Sequence, residues 1–105
     1  MAQNGNMDDD KHSAQEIEMH KIMKKWNELP EQKRIQFVKE NGTKTKEENV
    51  YNENYAEKIG KEFIPGNSYT DEYLDVKIAV LVKKGTAKIT HYRIMIDEVR
   101  EFLSL

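Results

Sequence analysis

The chain has 105 residues, a formal net charge of −2, 37% hydrophobic and 34% charged residues, and no cysteine. That length fits one domain at most, with a core too small to enclose a large active-site cleft. The missing cysteines exclude disulfides, zinc–thiolate sites, thiol nucleophiles and thiol redox switches, and the near-neutral charge does not announce a nucleic-acid binder.

No apolar run approaches the ~20 residues that span a bilayer. The opening "MAQNGNMDDDKHS" has no basic region followed by an apolar one, so it does not read as a secretory signal. The expected location is cytoplasmic, with no membrane partner. Residues 1–12 are polar, include Asp8, Asp9 and Asp10, and read as a disordered tail.

The first predicted helix starts at Ser13, where "SAQE" forms a capping box between Ser13 and Glu16. Met19, Ile22, Met23 and Trp26 then fall on one helix face. A second helix is predicted in "NELPEQKRIQFVKENG". Pro30 suits its first position, Ile35, Phe37 and Val38 supply its apolar contacts, and Asn41-Gly42 ends it. "TKTKEENVYNEN" reads as a polar linker over about 43–53. A third helix is predicted over 54–64, with Asn54 and Glu57 as an approximate capping box, Ala56, Ile59 and Phe63 on one face, and Pro65-Gly66 as its stop.

Residues 70–92 support two readings. Val76, Ile78, Val80 and Val82 alternate as in a strand, and "KKG" fits a hairpin turn with a glycine bulge. Leu74, Ile78, Leu81 and Val82 also make a helical stripe, with Ser68 and Asp71 as a cap and Lys83-Lys84-Gly85 as a stop. The helix is preferred. The last helix is predicted from Thr90, with Tyr92, Met95, Ile96, Val99, Phe102 and Leu103 buried and Arg93, Asp97, Arg100 and Glu101 opposite. The expected fold is therefore all-α: a disordered tail over 1–12, then one helical domain over 13–105, a bundle of about four to five helices. The alternative is α+β with a β-hairpin at about 76–92.

No constellation for catalysis stands out. His12, His20 and His91 and the serines Ser13, Ser68 and Ser104 lie in no nucleophile motif. His12, Glu16 and His20 share a helical spacing, but the two histidines are two turns apart rather than the one turn of a metal helix. Adjacent acids such as Asp97-Glu98 point in different directions on a helix. The five glycines are isolated and form no phosphate-cradling loop. No enzyme, metal or cofactor is expected.

Charge is unevenly spread. Residues 83–93 carry Lys83, Lys84, Lys88 and Arg93 with no acid, and residues 21–39 are also net basic. Residues 1–18 set Lys11 against Asp8, Asp9, Asp10, Glu16 and Glu18. Basic clusters are what phosphate backbones pair with. The expected RNA-contacting residues are Lys83, Lys84, Lys88, Arg93 and Arg100, with Arg93 also able to pair with Asp97 one turn on.

The segment "ITHYRIMIDEVREF", with Thr90, Arg93, Asp97, Glu98, Val99 and Arg100, resembles the small helical subunit of type III-A CRISPR–Cas (Csm) effector complexes. "ENYAEKIGKEF" looks like that family's preceding helix. The resemblance covers about a third of the chain. It implies a non-catalytic, all-α RNA-binding subunit of an antiviral ribonucleoprotein, lining a guide–target duplex by weak backbone contacts beside other protein subunits. The rival expectation is a protein–protein adaptor or inhibitor of phage or mobile-element type, using the Trp26 helix face.

Overall fold

The computed structural model describes the backbone of residues 4–52 and 59–105; within the first helix, side chains are described for Ala14 and from Glu16 onward. Among the described residues the order is α1 (Asn4–Glu28), α2 (Glu31–Asn41), β1 (Thr43–Tyr51), β2 (Glu62–Phe63), β3 (Asn67–Tyr69), β4 (Tyr73–Lys83), β5 (Thr86–Met95) and α3 (Ile96–Phe102). The fold is α+β. This overturns the all-α expectation and matches its hairpin alternative.

The sheet is antiparallel, in the order β1-β5-β4-β2, with β3 also on β4. β3 and β2 share the outer edge of β4, end to end: Asn67–Tyr69 lies along Leu74–Val76, and Glu62–Phe63 along Ala79–Val80. Pro65-Gly66, read in the sequence as a helix stop, interrupts this outer strand instead. A proline has no N–H for a ladder and is tolerated at such an edge. The predicted third helix falls partly on residues 53–58, outside the described residues. Its remainder is not helical: residues 59–61 are irregular and Glu62–Phe63 is β2.

The β4–β5 hairpin closes on Lys84-Gly85, and Gly85 takes φ +79°, which a glycine adopts without strain. The helical reading preferred within residues 70–92, with its stop at Gly85, fails for a specific reason. In β4 the buried residues are Leu74, Val76 and Ile78, then Ala79 and Leu81. Burial passes from one face of the strand to the other after Ile78. The combined apolar set therefore imitates a 3.6-residue stripe, although each half alternates as a strand does. β5 makes the same change, from Ala87 and Ile89 to Tyr92 and Ile94.

Two apolar clusters follow from that crossing. Leu74, Val76, Ile78, Tyr92 and Ile94 pack with Met19, Ile22, Met23 and Trp26 of α1, Ile35, Phe37 and Val38 of α2, and Ile96, Val99 and Leu103. All three helices thus cover the same half of one sheet face. On the other face, Ala79, Leu81, Ala87 and Ile89 form a smaller cluster with Val50 and Phe63. Trp26 is fully buried and meets Phe37 edge-on at 6.0 Å, and Phe37 stacks on Phe102 at 4.0 Å. The helix face offered to an adaptor partner in the sequence reading is therefore core.

The predicted linker at 43–53 is mostly strand β1, an edge strand whose exposed polar residues gave no apolar alternation to read. Gly42 joins α2 to β1 in an extended conformation, not the left-handed one expected at the helix stop. It is needed for space: a Cβ there would lie 2.7 Å from the Val38 carbonyl oxygen and 3.2 Å from Tyr92 Cβ. The predicted last helix begins only at Ile96, because Thr90 to Met95 belongs to β5. The segment that carries the CRISPR resemblance is thus half strand and half helix, which departs from the all-α fold that the resemblance implies. At the N-terminus, α1 begins at Asn4 and so runs through most of the segment read as a tail; residues 1–3 lie outside the described residues. Its first buried side chain among those described is Met19.

The core makes a quantitative demand. Trp26→Ala should cost ~3–5 kcal/mol of stability, a large share of the ~5–15 kcal/mol typical of a domain. Ile17→Ala, at an exposed position of the same helix, should stay within ~0.5 kcal/mol. Urea unfolding followed by circular dichroism reads both, and equal effects would contradict this placement of the core.

Candidate nucleic-acid interface

The alternation of β5 decides which of the predicted RNA-binding residues can act together. Lys88 and Arg93 are an odd number of residues apart in one uninterrupted strand, so they project from opposite faces of the sheet. Lys88 lies on the helix-bearing face, beyond the helices, toward the hairpin turn. Its Nζ is 3.6 Å from Glu47 of β1, and Glu47 also accepts a hydrogen bond from the Thr90 hydroxyl at 3.3 Å. Thr90, expected to cap a helix, instead ties β5 to β1.

Lys83 closes β4 and Lys84 opens the turn; both are exposed. The Lys83 carbonyl accepts from the Thr86 hydroxyl at 3.2 Å, which fixes the turn while leaving both ammonium groups in solvent. Lys61 lies beside this end of β4, its carbonyl accepting from Leu81 N–H at 3.2 Å. The hairpin tip thus gathers Lys61, Lys83, Lys84 and Lys88.

Arg93 is not part of the tip. It stands on the other face, with Nε donating to Asp75 Oδ1 at 2.9 Å and its guanidinium 4.8 Å from the Tyr73 ring centroid. The hydrogen bond and charge of Asp75 hold its pKa above the ordinary value. The partner is Asp75 across the ladder rather than Asp97 along a helix, because residue 93 is in a strand. Arg100 is also elsewhere. It bonds Asp97 at 2.7 Å and reaches Glu18 of α1 at 3.3 Å, fastening α3 to α1. The structure brings together Lys83, Lys84 and Lys88 and separates Arg93 and Arg100 from them.

Two tyrosines flank this region. Tyr92, expected on a buried apolar face, is buried in the main cluster, from strand β5 rather than from a helix. Tyr51 is 74% exposed and lies opposite Thr86, next to the turn. Its ring is 3.4 Å from where a Cβ on Gly85 would stand, and Asn52 N–H donates to the Gly85 carbonyl at 2.6 Å. Sequence reasoning missed Tyr51 because it placed residue 51 in a linker; the available signal was the Val50-Tyr51 pair at the end of that polar run.

β1 presents Tyr51 to the tip, so its attachment to β5 matters. His91 Nε2 and Glu48 Oε2 are 2.9 Å apart, Lys46 is 3.6 Å from the same carboxylate, and the Thr45 hydroxyl donates to the His91 carbonyl at 3.4 Å. The hydrogen bond with His91 is the main cause that lowers the Glu48 pKa, opposed by partial desolvation and aided by Lys46. No group of three His, Asp or Glu side chains among the described residues could hold a metal ion, and no helix described is long and apolar enough to cross a membrane. Comparison of the chain with protein-family models, curated proteins and solved structures finds no match.

A depressed carboxylate stabilises the fold only while it is ionised. The contribution of Glu48 should be fully present above its ordinary pKa of 4.5 and disappear as pH falls through the lowered value. In urea titrations, the stability gap between the parent and Glu48→Gln should close as the pH falls below that value. A gap that persists in full at still lower pH would contradict the pairing.

Proposed function

We propose that the chain is a non-catalytic RNA-binding module that addresses the sugar–phosphate backbone through the tip of the β4–β5 hairpin, as one subunit of a larger ribonucleoprotein. One observation carries this reading. Lys61, Lys83, Lys84 and Lys88 share one end of the sheet with the exposed ring of Tyr51. Mobile ammonium groups neutralise phosphates without reading sequence, and an exposed aromatic face stacks on an unpaired base of any identity. Lys88 faces Glu47 across a 3.6 Å gap between two exposed side chains. Such a pair is worth little in water and yields readily to a phosphate.

The adaptor reading moves to the same place. With Trp26 in the core, the exposed apolar residues near the tip include Val82 and Ile59 beside Tyr51, and a protein partner would seat on them. The two readings differ in their response to salt. Each phosphate of a single strand that a variant no longer neutralises flattens the log–log salt dependence by ~0.7, whereas apolar docking is nearly insensitive to salt.

Fluorescence anisotropy with a short single-stranded RNA carrying unphosphorylated ends tests the proposal. Replacing Lys83, Lys84 and Lys88 together by Ala should weaken binding and flatten its salt dependence. Tyr51→Ala should cost ~1–3 kcal/mol of binding while leaving that slope unchanged. Arg100→Ala should lower stability and leave RNA affinity as it was. A parent protein with no RNA affinity at low salt, or a triple variant that binds as the parent does, would overturn the proposal in favour of the adaptor.

A further inference from the structure

Diagonally across the β4–β5 ladder from the tip lies a second region without apolar cover among the described residues. On the face turned away from the helices, Asp75 stands opposite Arg93 and Lys77 opposite His91, while β3 sets Ser68 beside Asp75. With Thr45 and the backbone at Gly66 and Asn67, these residues line a cavity of about 430 Å³. Pockets that hold small molecules span ~300–1,000 Å³.

The donors in this cavity differ in how they are held. Arg93 is fixed from two sides, by its Nε bond to Asp75 and by its position over Tyr73. Meeting Asp75 through Nε leaves the two terminal amino groups outside that bond. A guanidinium restrained in this way is a preorganised fork for an oxyanion. Lys77 is exposed and makes no ion pair among the described residues, so it stands as an uncommitted positive charge. Ser68 adds a hydroxyl from β3, and His91 a ring already anchored on Glu48.

We propose that this cavity binds the phosphate group of a small phosphorylated molecule. Ser68, Lys77 and Arg93 come from three neighbouring strands, and three donor groups suit the three free oxygens of a phosphate monoester better than the two of a carboxylate. Lys77 and Arg93 set two positive groups against the one carboxylate of Asp75, which Arg93 Nε already engages, so the lining keeps one net positive charge for the anion. The cavity is separate from the hairpin tip, so this inference does not depend on RNA binding and can fail without it.

The test is a chemical-shift titration of the isotopically labelled full chain with inorganic phosphate, adenosine 5′-monophosphate, adenosine and acetate. Phosphate and the mononucleotide should move the resonances of Ser68, Lys77, His91 and Arg93, and adenosine should not. Equal binding of the two would identify the free anion as the source; tighter binding of the mononucleotide would identify a phosphorylated organic molecule. Either result supports the site. Lys77→Ala, at an exposed position whose spectrum reports that the fold is intact, should weaken phosphate binding about tenfold. Binding unchanged in Lys77→Ala, shifts confined to Lys83 and Lys84, acetate binding as tightly as phosphate, or no shift with either phosphate compound would overturn it.

Discussion

The β4–β5 hairpin imposes the constraint on which the rest depends: its apolar cover changes faces halfway along the ladder. At the end that holds Leu74 and Ile94, three helices press on one face; toward the turn, Ala79, Leu81, Ala87 and Ile89 are buried on the other. A two-layer α+β domain normally buries one sheet face throughout its length and leaves the other to solvent. Here, among the described residues, each face is covered over only half of its length. Two uncovered quadrants result, diagonal to one another, and they hold the lysine tip and the polar cavity. Neither could be filled by apolar side chains without giving one strand buried residues on both sides at the same height.

The same crossing explains which parts of the fold could be read from the sequence. Helix α2 was legible from its punctuation, with Pro30 at its start and Asn41-Gly42 at its end around the buried Ile35, Phe37 and Val38. The face Met19, Ile22, Met23 and Trp26 of α1 was legible because its spacing of three and four residues makes one buried stripe. β4 was not, because Ile78 and Ala79 are adjacent, both buried, and on opposite faces. A sequence window sees such a junction as a break in alternation, and a break in alternation resembles a helix. β1 left no apolar trace because it is an edge strand whose only apolar residues come at its end. Its charges and its irregularity between Lys44 and Lys46 have a different purpose, since they discourage a second chain from pairing along the open edge.

The candidate site was legible as composition and illegible as geometry. The run Lys83, Lys84, Lys88 is visible in the sequence as a segment without acids, and the hairpin keeps those residues together. Arg93 belongs to the same run, yet strand parity sends it to the other face, where a helix would have set it beside Asp97. Arg100 looked like part of a cationic helix edge, but its partners are Asp97 and Glu18, and the contact with Glu18 depends on how α3 lies against α1. The Val50-Tyr51 pair was visible in the sequence, but its place beside the turn follows only from the pairing of β1 with β5.

Pairing then separates the cations of the hairpin by the work they do. Lys88 and Arg93 each face a carboxylate on a neighbouring strand, Glu47 on β1 across 3.6 Å and Asp75 on β4 at 2.9 Å, and the shorter of the two contacts helps to fix how the strands lie. Lys77, Lys83 and Lys84 have no such partner among the described residues. A lysine side chain left free in solvent retains ~2 kcal/mol of rotamer entropy, so fixing it against a surface carboxylate would gain little. A phosphate offers more, because its charge is doubled and its oxygens accept several bonds at once. The residues that contribute least to the fold are therefore the ones with most to gain from an anionic ligand. They occur where the crossing of the apolar cover leaves the sheet open, Lys83 and Lys84 at the tip and Lys77 in the cavity.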